Sequence, residues 1–287
     1  MIGVVILNYN GASLTGDLTD KIRKYQSIEK IVIVDNKSTD DSFTALKKRF
    51  IDDEKVKVIL SESNGGYSSG NNIGLKWLVA EGKYNTAFIC NPDVLFEESF
   101  IIQLDKGLKE NPDYGLLTGI MLNPDGTFTK NQYWSLPTFR EDFFRGFFIF
   151  NFLIKKNNKG LIKSDNILEC VPAGSVEAVN LEYMKEVGYF DESVFLFYEE
   201  NILAKKLKES RYKTGVLLSC EYYHYHSQII NSTVSIMNKY KLFQRSMYYY
   251  QVKYNKINSI QKILLKVSMV IGKGLFFFKN CRLGGKR

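Results

Sequence analysis

Residues 30–42 read KIVIVDNKSTDDS. Ile31, Val32, Ile33 and Val34 form an unbroken apolar, β-branched run, the pattern of a buried strand. The run stops at Asp35, and after a short polar loop Asp40, Asp41 and Ser42 can start a helix. A carboxylate thus stands at the carboxyl end of a strand that leads into a helix. In open parallel sheets ligands bind in the crevice at that edge. An aspartate there can also be a turn or capping residue, but Asp40 and Asp41 already supply that role.

The same design flanks this stretch on both sides. IGVVIL (2–7) runs into Asn8-Tyr9-Asn10-Gly11, and TAFIC (86–90) runs into Asn91-Pro92-Asp93. Asn8, Asp35 and Asp93 are therefore expected on one rim. Between the second and third endings lies NGGYSSGNN (64–72), whose glycines let a backbone approach a ligand closely. A strand is expected over 56–60, with helices near 16–26, 40–50, 68–81 and 97–109 and a further strand over about 114–119. This alternation predicts an α/β fold with a mostly parallel sheet flanked by helices.

Beyond it, NPDGTF (123–128) reads as a hairpin turn, and FREDFFRGFFIFNFLIKK (139–156) is unusually aromatic. A strand near 168–171, helices near 180–187 and 199–209, and two short strands over 213–218 and 221–226 follow. The remainder reads as helical, with a break around Asn255 to Ser259. The expected organisation is a body over 1–229, divided at 119/120 into two halves, and a basic helical region over 230–287.

A chain of 287 residues with 45% hydrophobic content can bury a full core, which excludes disorder. Cys90, Cys170, Cys220 and Cys281 show no metal-ligand spacing and read as unpaired thiols in a reducing compartment. The start MIGVVILNYN lacks a basic leader, and no stretch reaches about 18 uncharged apolar residues. A cytoplasmic protein is expected. Of the 39 Lys and Arg, 12 lie in residues 230–287, which hold none of the 31 Asp and Glu. That asymmetry points the tail toward an anionic surface.

The polar residues divide by chemistry. A carboxylate such as Asp35 can accept hydrogen bonds from a base imino group or a ribose hydroxyl. Asp93 can ligate Mg²⁺ or Mn²⁺, with Asn91 offering a carbonyl oxygen, and the metal would neutralise a diphosphate leaving group. NPD is also an ordinary turn sequence. The glycine loop lacks the GK[ST] of a phosphate loop, and no GxGxxG follows the first strand, so a pocket-shaping loop fits better than a dinucleotide site. Tyr9, Asn10, Asn36, Asn64, Gly65, Gly66 and Asn71 are its donor-binding candidates. Glu199 and Glu200 open a helix, where the dipole favours an ionised carboxylate able to act as general base. Acidic residues also decorate helix starts for no catalytic reason. His224 and His226, the only histidines, alternate onto one strand face and can complete a metal site, touch a diphosphate or serve as partly buried structural residues.

VVILNYNG (4–11), IVIVDNKSTDDS (31–42), NGGYSSGNNIGL (64–75), FICNPDV (88–94), PAGSVEAVN (172–180) and VGYFDESVFLFYEE (187–200) together resemble the family 2 glycosyltransferases, which have the GT-A fold. The resemblance spans roughly residues 1–226 and is closest to the branch with bacterial rhamnosyltransferases and other polysaccharide-assembly transferases. It implies inverting, metal-dependent transfer from a UDP- or dTDP-sugar to a hydroxyl of a saccharide acceptor, lipid-linked in capsule-like polysaccharide synthesis. It assigns nucleotide-sugar binding to the half over 1–119 and acceptor binding to the half over 120–229. It places Asn8 and Asp35 on the base and ribose, and Asn91 and Asp93 at the DxD-type metal motif with Asn for the first acid. Gly174 would lie near sugar and acceptor. Glu200 stands where the family has the aspartate of its Glu-Asp pair, the expected base. Glu replaces Asp there and Ile202 replaces a further aspartate, so Glu199 stays a second candidate.

Residues 259–279 place Lys262, Lys266 and Lys273 on one helical face beside a broad apolar side of Ile263, Leu264, Val267, Val270, Ile271, Leu275 and Phe278. That is the pattern of an in-plane membrane helix at the inner face of the cell membrane. Packing on its own domain or on a second copy, a homodimer, is the competing reading. Residues 143–154 can face lipid, a lipid-linked acceptor or a dimer partner. No nucleic-acid recognition motif accompanies the basic tail. A sugar nucleotidyltransferase and a non-catalytic nucleotide- or glycan-binding module are the alternative functions. The first would need a glycine-rich, basic loop after the first strand, which NYNGAS does not provide.

Overall fold

The computed structural model describes residues 1–147, 162–164, 166–225 and 235–284. The chain opens with β1 (Ile2–Asn8), α1 (Ala12–Ile22), β2 (Ile28–Asp35), α2 (Ser42–Arg49), β3 (Val56–Leu60), α3 (Gly66–Ala80) and β4 (Thr86–Cys90). Next come β5 (Val94–Leu95), α4 (Glu98–Glu110), β6 (Tyr114–Leu122), β7 (Tyr133–Trp134), α5 (Phe139–Gly146), β8 (Ile162–Ser164), β9 (Ile167–Glu169) and β10 (Val171–Pro172). The described chain closes with β11 (Val176–Asn180), α6 (Leu181–Glu186), α7 (Glu199–Glu209), β12 (Lys213–His224), α8 (Ile236–Lys253) and α9 (Ser259–Gly284).

The main sheet has the order β3-β2-β1-β4-β11-β6-β12-β9-β8. β1 pairs in parallel with β2 and β4, and β2 with β3. The strand residues alternate between two apolar layers. Val4, Ile6, Ile31 and Ile33 face one, and Val5, Val32 and Val34 face the other. Burial on both faces explains the unbroken apolar runs, because a strand covered on one side only would alternate with polar residues. Asn8 pairs with Asp35 and Ile6 with Cys90, so the polar endings of β1, β2 and β4 share one sheet edge.

Three departures from the sequence expectations bear on the site. β11 was not expected, and it runs antiparallel between β4 and β6, making the sheet mixed. The two short strands expected over 213–226 are one strand, β12, whose register against β6 shifts between Val216 and Glu221. α1 starts four residues earlier than the expected 16, where Thr15 N–H donates to the Gly11 carbonyl at 3.0 Å.

The helices over 236–284 pack on the body. Met247, Tyr250, Ile257 and Leu265 form one apolar cluster with Val194, Tyr198 and Ile202. α9 crosses α5 at small residues: a Cβ on Gly272 would lie 1.8 Å from the Gly146 carbonyl oxygen. The inward side of α9 is thus Leu265, Ser268, Gly272 and Phe276, while Ile260, Ile263, Leu264, Val267, Val270, Ile271, Phe277 and Phe278 remain exposed. Cys90, Cys170 and Cys220 are buried free thiols. His226, residues 148–154 of the aromatic stretch and the Cys281 side chain lie outside the described residues.

Candidate active site

At the carboxyl edge of β1, β2 and β4 the sheet opens on a cavity of about 450 Å³, within the size range of small-molecule sites. Tyr9, Asn36, Asn64, Gly66, Asn91, Asp93, Gly174, Glu199, Glu200 and His224 line it, together with Tyr67 and the aromatic loop Phe195–Phe197. The expected rim exists, but side-chain direction divides the expected residues.

Asn8 and Asp35, expected on base and ribose, are not among the residues that line the cavity. Both are fully buried. Asn8 Nδ2 donates to Asp35 Oδ2 at 2.7 Å, and Asn8 Oδ1 accepts from the Thr15 hydroxyl at 2.8 Å. Asp35 also accepts from Ser38, at 2.9 Å from the backbone N–H and 2.7 Å from the hydroxyl. The chain reverses through Lys37 at φ 60°, and Asp35 closes that turn. Asp35 therefore fills the turn role that Asp40 and Asp41 were expected to take, although Asp40 still accepts the Ser42 N–H at 3.0 Å. Asn10 is likewise committed to the loop: its Nδ2 donates to Thr39 Oγ1 at 2.9 Å and its Oδ1 accepts the Thr39 N–H at 2.8 Å. The polar residues that line the cavity at this end are Tyr9, Asn36 and Asn64.

The glycine loop becomes the start of α3. Asn36 Nδ2 donates to Asn64 Oδ1 and to the Gly66 carbonyl, each at 3.0 Å. Gly66 sits at φ 84°, and a Cβ there would fall 2.1 Å from the Phe195 carbonyl oxygen, so only glycine fits. Gly65 is the residue before the helix, and Asn71 is buried within it, donating to the Tyr67 carbonyl at 3.1 Å. Neither lines the cavity.

Asp93 follows β4, and His224 ends β12, which pairs with β5 at Val94. Asp93 Oδ1 and His224 Nε2 lie 3.2 Å apart, the separation of neighbouring ligands on an octahedral ion with bonds of about 2.1 Å. Among the described residues no cluster of three or more His, Cys, Asp and Glu is placed to hold a metal. The pair fits a hard divalent cation that completes its shell with substrate phosphate oxygens and water. Asn91 faces the same cavity, with its backbone N–H tied to the Ser175 carbonyl at 2.8 Å.

Glu199 and Glu200 open α7, as expected. Tyr198 before them has φ 70°, as does Phe197. Left-handed backbone at bulky residues is uncommon and concentrates at functional sites. Here it turns both carboxylates into the cavity. Burial raises the proton affinity of both, and Glu200 adds to that effect on Glu199. Backbone N–H groups oppose it at Glu200, whose Oε1 accepts from Gly174 at 3.4 Å. Glu199 Oε2 is buried with no hydrogen-bond partner. Burial thus opposes charge on both carboxyls, and the Gly174 N–H favours the anion at Glu200.

Two groups escaped the sequence reading. Tyr67 donates its hydroxyl to the Gly174 carbonyl at 2.9 Å, and its N–H to the Phe195 carbonyl at 3.0 Å. It joins the glycine loop to the segment before β11, a link between residues 107 apart in sequence. Glu177, within the quoted PAGSVEAVN, is a third carboxyl. It is fully buried, and burial, with Glu200 next, pushes it up to about 8. An acidic residue inside an apolar strand sequence was its available signal.

The mixed, mostly parallel sheet flanked by helices is that of the GT-A fold. The chain belongs to glycosyl transferase family 2, whose family model matches residues 3–169. It is 24% identical over 199 residues to the low-salt glycan biosynthesis hexosyltransferase Agl10 of Haloferax volcanii, covering 69% of this chain and 59% of that protein. It is 32% identical over 127 residues to the glycosyltransferase GlyG of Streptococcus pneumoniae, covering 44% of this chain and 40% of that one. The chain thus spans about three-fifths or less of these relatives. The mannosyltransferase PcManGT of Pyrobaculum calidifontis, solved with GDP-Man and Mn²⁺, shares the fold with a TM-score of 0.59 at 14% identity, over 94% of this chain and 69% of that one.

Proposed function

We propose that this protein is an inverting glycosyltransferase that moves a sugar from a UDP- or dTDP-sugar to a saccharide hydroxyl, on a lipid-linked acceptor in bacterial surface polysaccharide synthesis. One observation carries the reading: Glu200 and the Asp93–His224 pair face a single cavity at the sheet edge. Glu200 takes the proton from the acceptor hydroxyl as its oxygen bonds to the anomeric carbon. The bond from that carbon to the diphosphate oxygen breaks, and the diphosphate leaves with the electron pair. Attack opposite the leaving group inverts the anomeric centre. Asp93 and His224, with Asn91 beside them, would hold Mg²⁺ or Mn²⁺, which when bound neutralises charge on the leaving diphosphate. A ligand set with imidazole leans toward Mn²⁺ over Mg²⁺, and the relative from Pyrobaculum calidifontis was solved with Mn²⁺. Tyr9, Asn36 and Asn64 take the nucleoside end, with Asn8 and Asp35 bracing the loops that carry them.

The exposed stripe of α9 supports docking on an anionic membrane surface. It combines eight exposed apolar side chains with a region that has no acidic residue. No helix among the described residues is long and apolar enough to cross a membrane.

A thermal-shift screen of UDP, dTDP and GDP and their hexoses, with Mg²⁺ or Mn²⁺, tests the assignment, since a ligand of the folded state raises its apparent stability. A stabilising nucleotide sugar should then be turned over. Glu200→Gln should lose that turnover while nucleotide still binds, and Asp93→Ala should lose the metal-dependent part of the shift. Tight binding by the wild type without turnover of any donor would replace this assignment with the non-catalytic module.

A further inference from the structure

Glu177 lies behind the cavity wall. It is the second residue of β11, which runs between β4 and β6; it is fully buried, and neither carboxyl oxygen has a hydrogen-bond partner. A Cβ built on Gly174 would meet Glu177 Oε1 at 3.4 Å and Glu200 Oε1 at 3.4 Å. Both carboxyl groups therefore lie against the open side of Gly174; Glu200 lines the cavity and Glu177 does not. The groups that face Glu177 are Tyr67 from α3, Cys90 from β4, Glu199 and Glu200 from α7, and Tyr222 from β12. None is a cation. Burial raises the proton affinities of Tyr67, Cys90 and Tyr222, which leaves them neutral.

An ionised carboxylate in that position would be buried with no donor and no cationic side chain among the described groups that face it, a costly arrangement. The three glutamates therefore share their charge unequally. Glu200 has the Gly174 N–H and the start of α7 to stabilise it as an anion, and Glu177 has nothing.

We propose that Glu177 is a positioning residue of the transfer reaction: fully buried beside Gly174, it carries the proton that leaves Glu200 as the one charged carboxylate of the cluster. This rests on the transferase reading above. Its consequence is an alkaline boundary. When Glu177 ionises, a second negative charge appears beside Glu200, at the edge of a cavity that must hold a diphosphate. Repulsion then weakens donor binding, so the effect falls on the donor KM rather than on kcat.

The test measures donor KM and kcat from pH 7 to 9.5, by release of nucleoside diphosphate from the UDP- or dTDP-hexose that is turned over. Wild type, Glu177→Gln and Glu177→Leu are each compared with themselves. The wild-type KM should rise about tenfold across pH 8, while that of either variant changes less than about twofold. A parallel rise in wild type and both variants would overturn the role. Thermal unfolding between pH 5 and 8 needs no donor. The wild-type midpoint should fall relative to both variants as pH rises, because a buried carboxyl with raised proton affinity costs stability in that window. A pH-independent difference would show that Glu177 carries no such proton and would also overturn the proposal. The unfolding signature without turnover of any donor would sink the transferase reading and the catalytic role, while locating the proton on Glu177.

Discussion

Tyr198 donates its hydroxyl to Asp142 Oδ1 at 2.6 Å. Tyr198 is the left-handed residue that aims Glu199 and Glu200, and Asp142 is a fully buried residue of α5. Asp142 also accepts from Gln251 of α8 at 2.6 Å and from Arg145 at 2.9 Å. The start of the glutamate helix is thus pinned by helices from two other parts of the chain. The region after residue 235 is therefore structurally joined to the site, whatever it does at a surface.

Tyr198→Phe keeps the ring in its cluster and removes only the hydroxyl. It should destabilise the protein by about 1–2 kcal/mol, as expected when a buried acceptor loses a partner. Because φ 70° at this residue depends on its surroundings, turnover should fall by more than the loss of folded protein accounts for. Urea unfolding together with kcat on the same preparation checks both. A stability loss with kcat unchanged would mean that the hydroxyl does not aim the glutamates.

Gly174 tests the geometry of the base from the other side. An added Cβ would lie 3.1 Å from Glu200 Cγ, so the side chain must shift by a few tenths of an ångström. Gly174→Ala should leave thermal stability nearly unchanged and lower kcat about 10- to 100-fold, since small misplacements of reacting groups are expensive. Gly66→Ala makes the contrast. Its Cβ meets backbone, not a flexible side chain, and φ is 84°, so the loss there should appear first in stability. Equal kcat for Gly174→Ala and wild type would separate Glu200 from the reaction.

Much of this site was legible because strand ends are legible. An apolar run that stops at a polar residue marks a sheet edge, and the parallel register then sets Asn8, Asp35 and Asn91 side by side. Sequence does not say which way the terminal side chain turns. Asp35 looks the same whether it meets a ligand or a turn, and its bonds to Ser38 and Asn8 appear only in the folded chain. β11 was hidden for a different reason. VEAVN carries an acid at its second position, and its partners β4 and β6 are far away in sequence. The apolar side of α9 was read correctly as a stripe, but which stripe packs inward depended on Gly146, a small residue on another helix.

Asp191 predicts an acid-side dependence. Burial alone would raise its proton affinity, but Lys253, Tyr254, the Ser193 N–H and Tyr249 all donate to it and hold it well below the usual carboxylate range. Those donors tie the end of α8 to the loop before α7. A depressed value in the folded state contributes stability that is present above the unfolded carboxylate range, near pH 4, and is lost as pH falls toward the folded value. Wild type should therefore exceed Asp191→Asn in stability at pH 7, and the gap should shrink between about pH 4 and pH 2. Denaturant midpoints at pH 7, 4, 3 and 2 measure it. A gap that stays constant to pH 2 would remove Asp191 from the acid response.

The exposed face of α9 makes the last prediction. Ile260, Ile263, Val267, Val270 and Phe278 recur at helical spacing and are between 49% and 70% exposed, so the face is unused by the body. Lys266 lies 5.4 Å from the Tyr248 ring and Lys273 is exposed, both within a region free of acidic residues. Each such cation near an anionic leaflet contributes about 1 kcal/mol, and the apolar stripe adds burial in the interface. The protein should float with vesicles containing phosphatidylserine or phosphatidylglycerol, float less with neutral vesicles, and release at high salt. Ile263→Glu with Val270→Glu should abolish flotation while the thermal midpoint stays within a few degrees, since neither side chain packs inward. If the double variant instead changes only the oligomeric state on a sizing column, and vesicle binding is absent in wild type, the face belongs to a second copy of the chain.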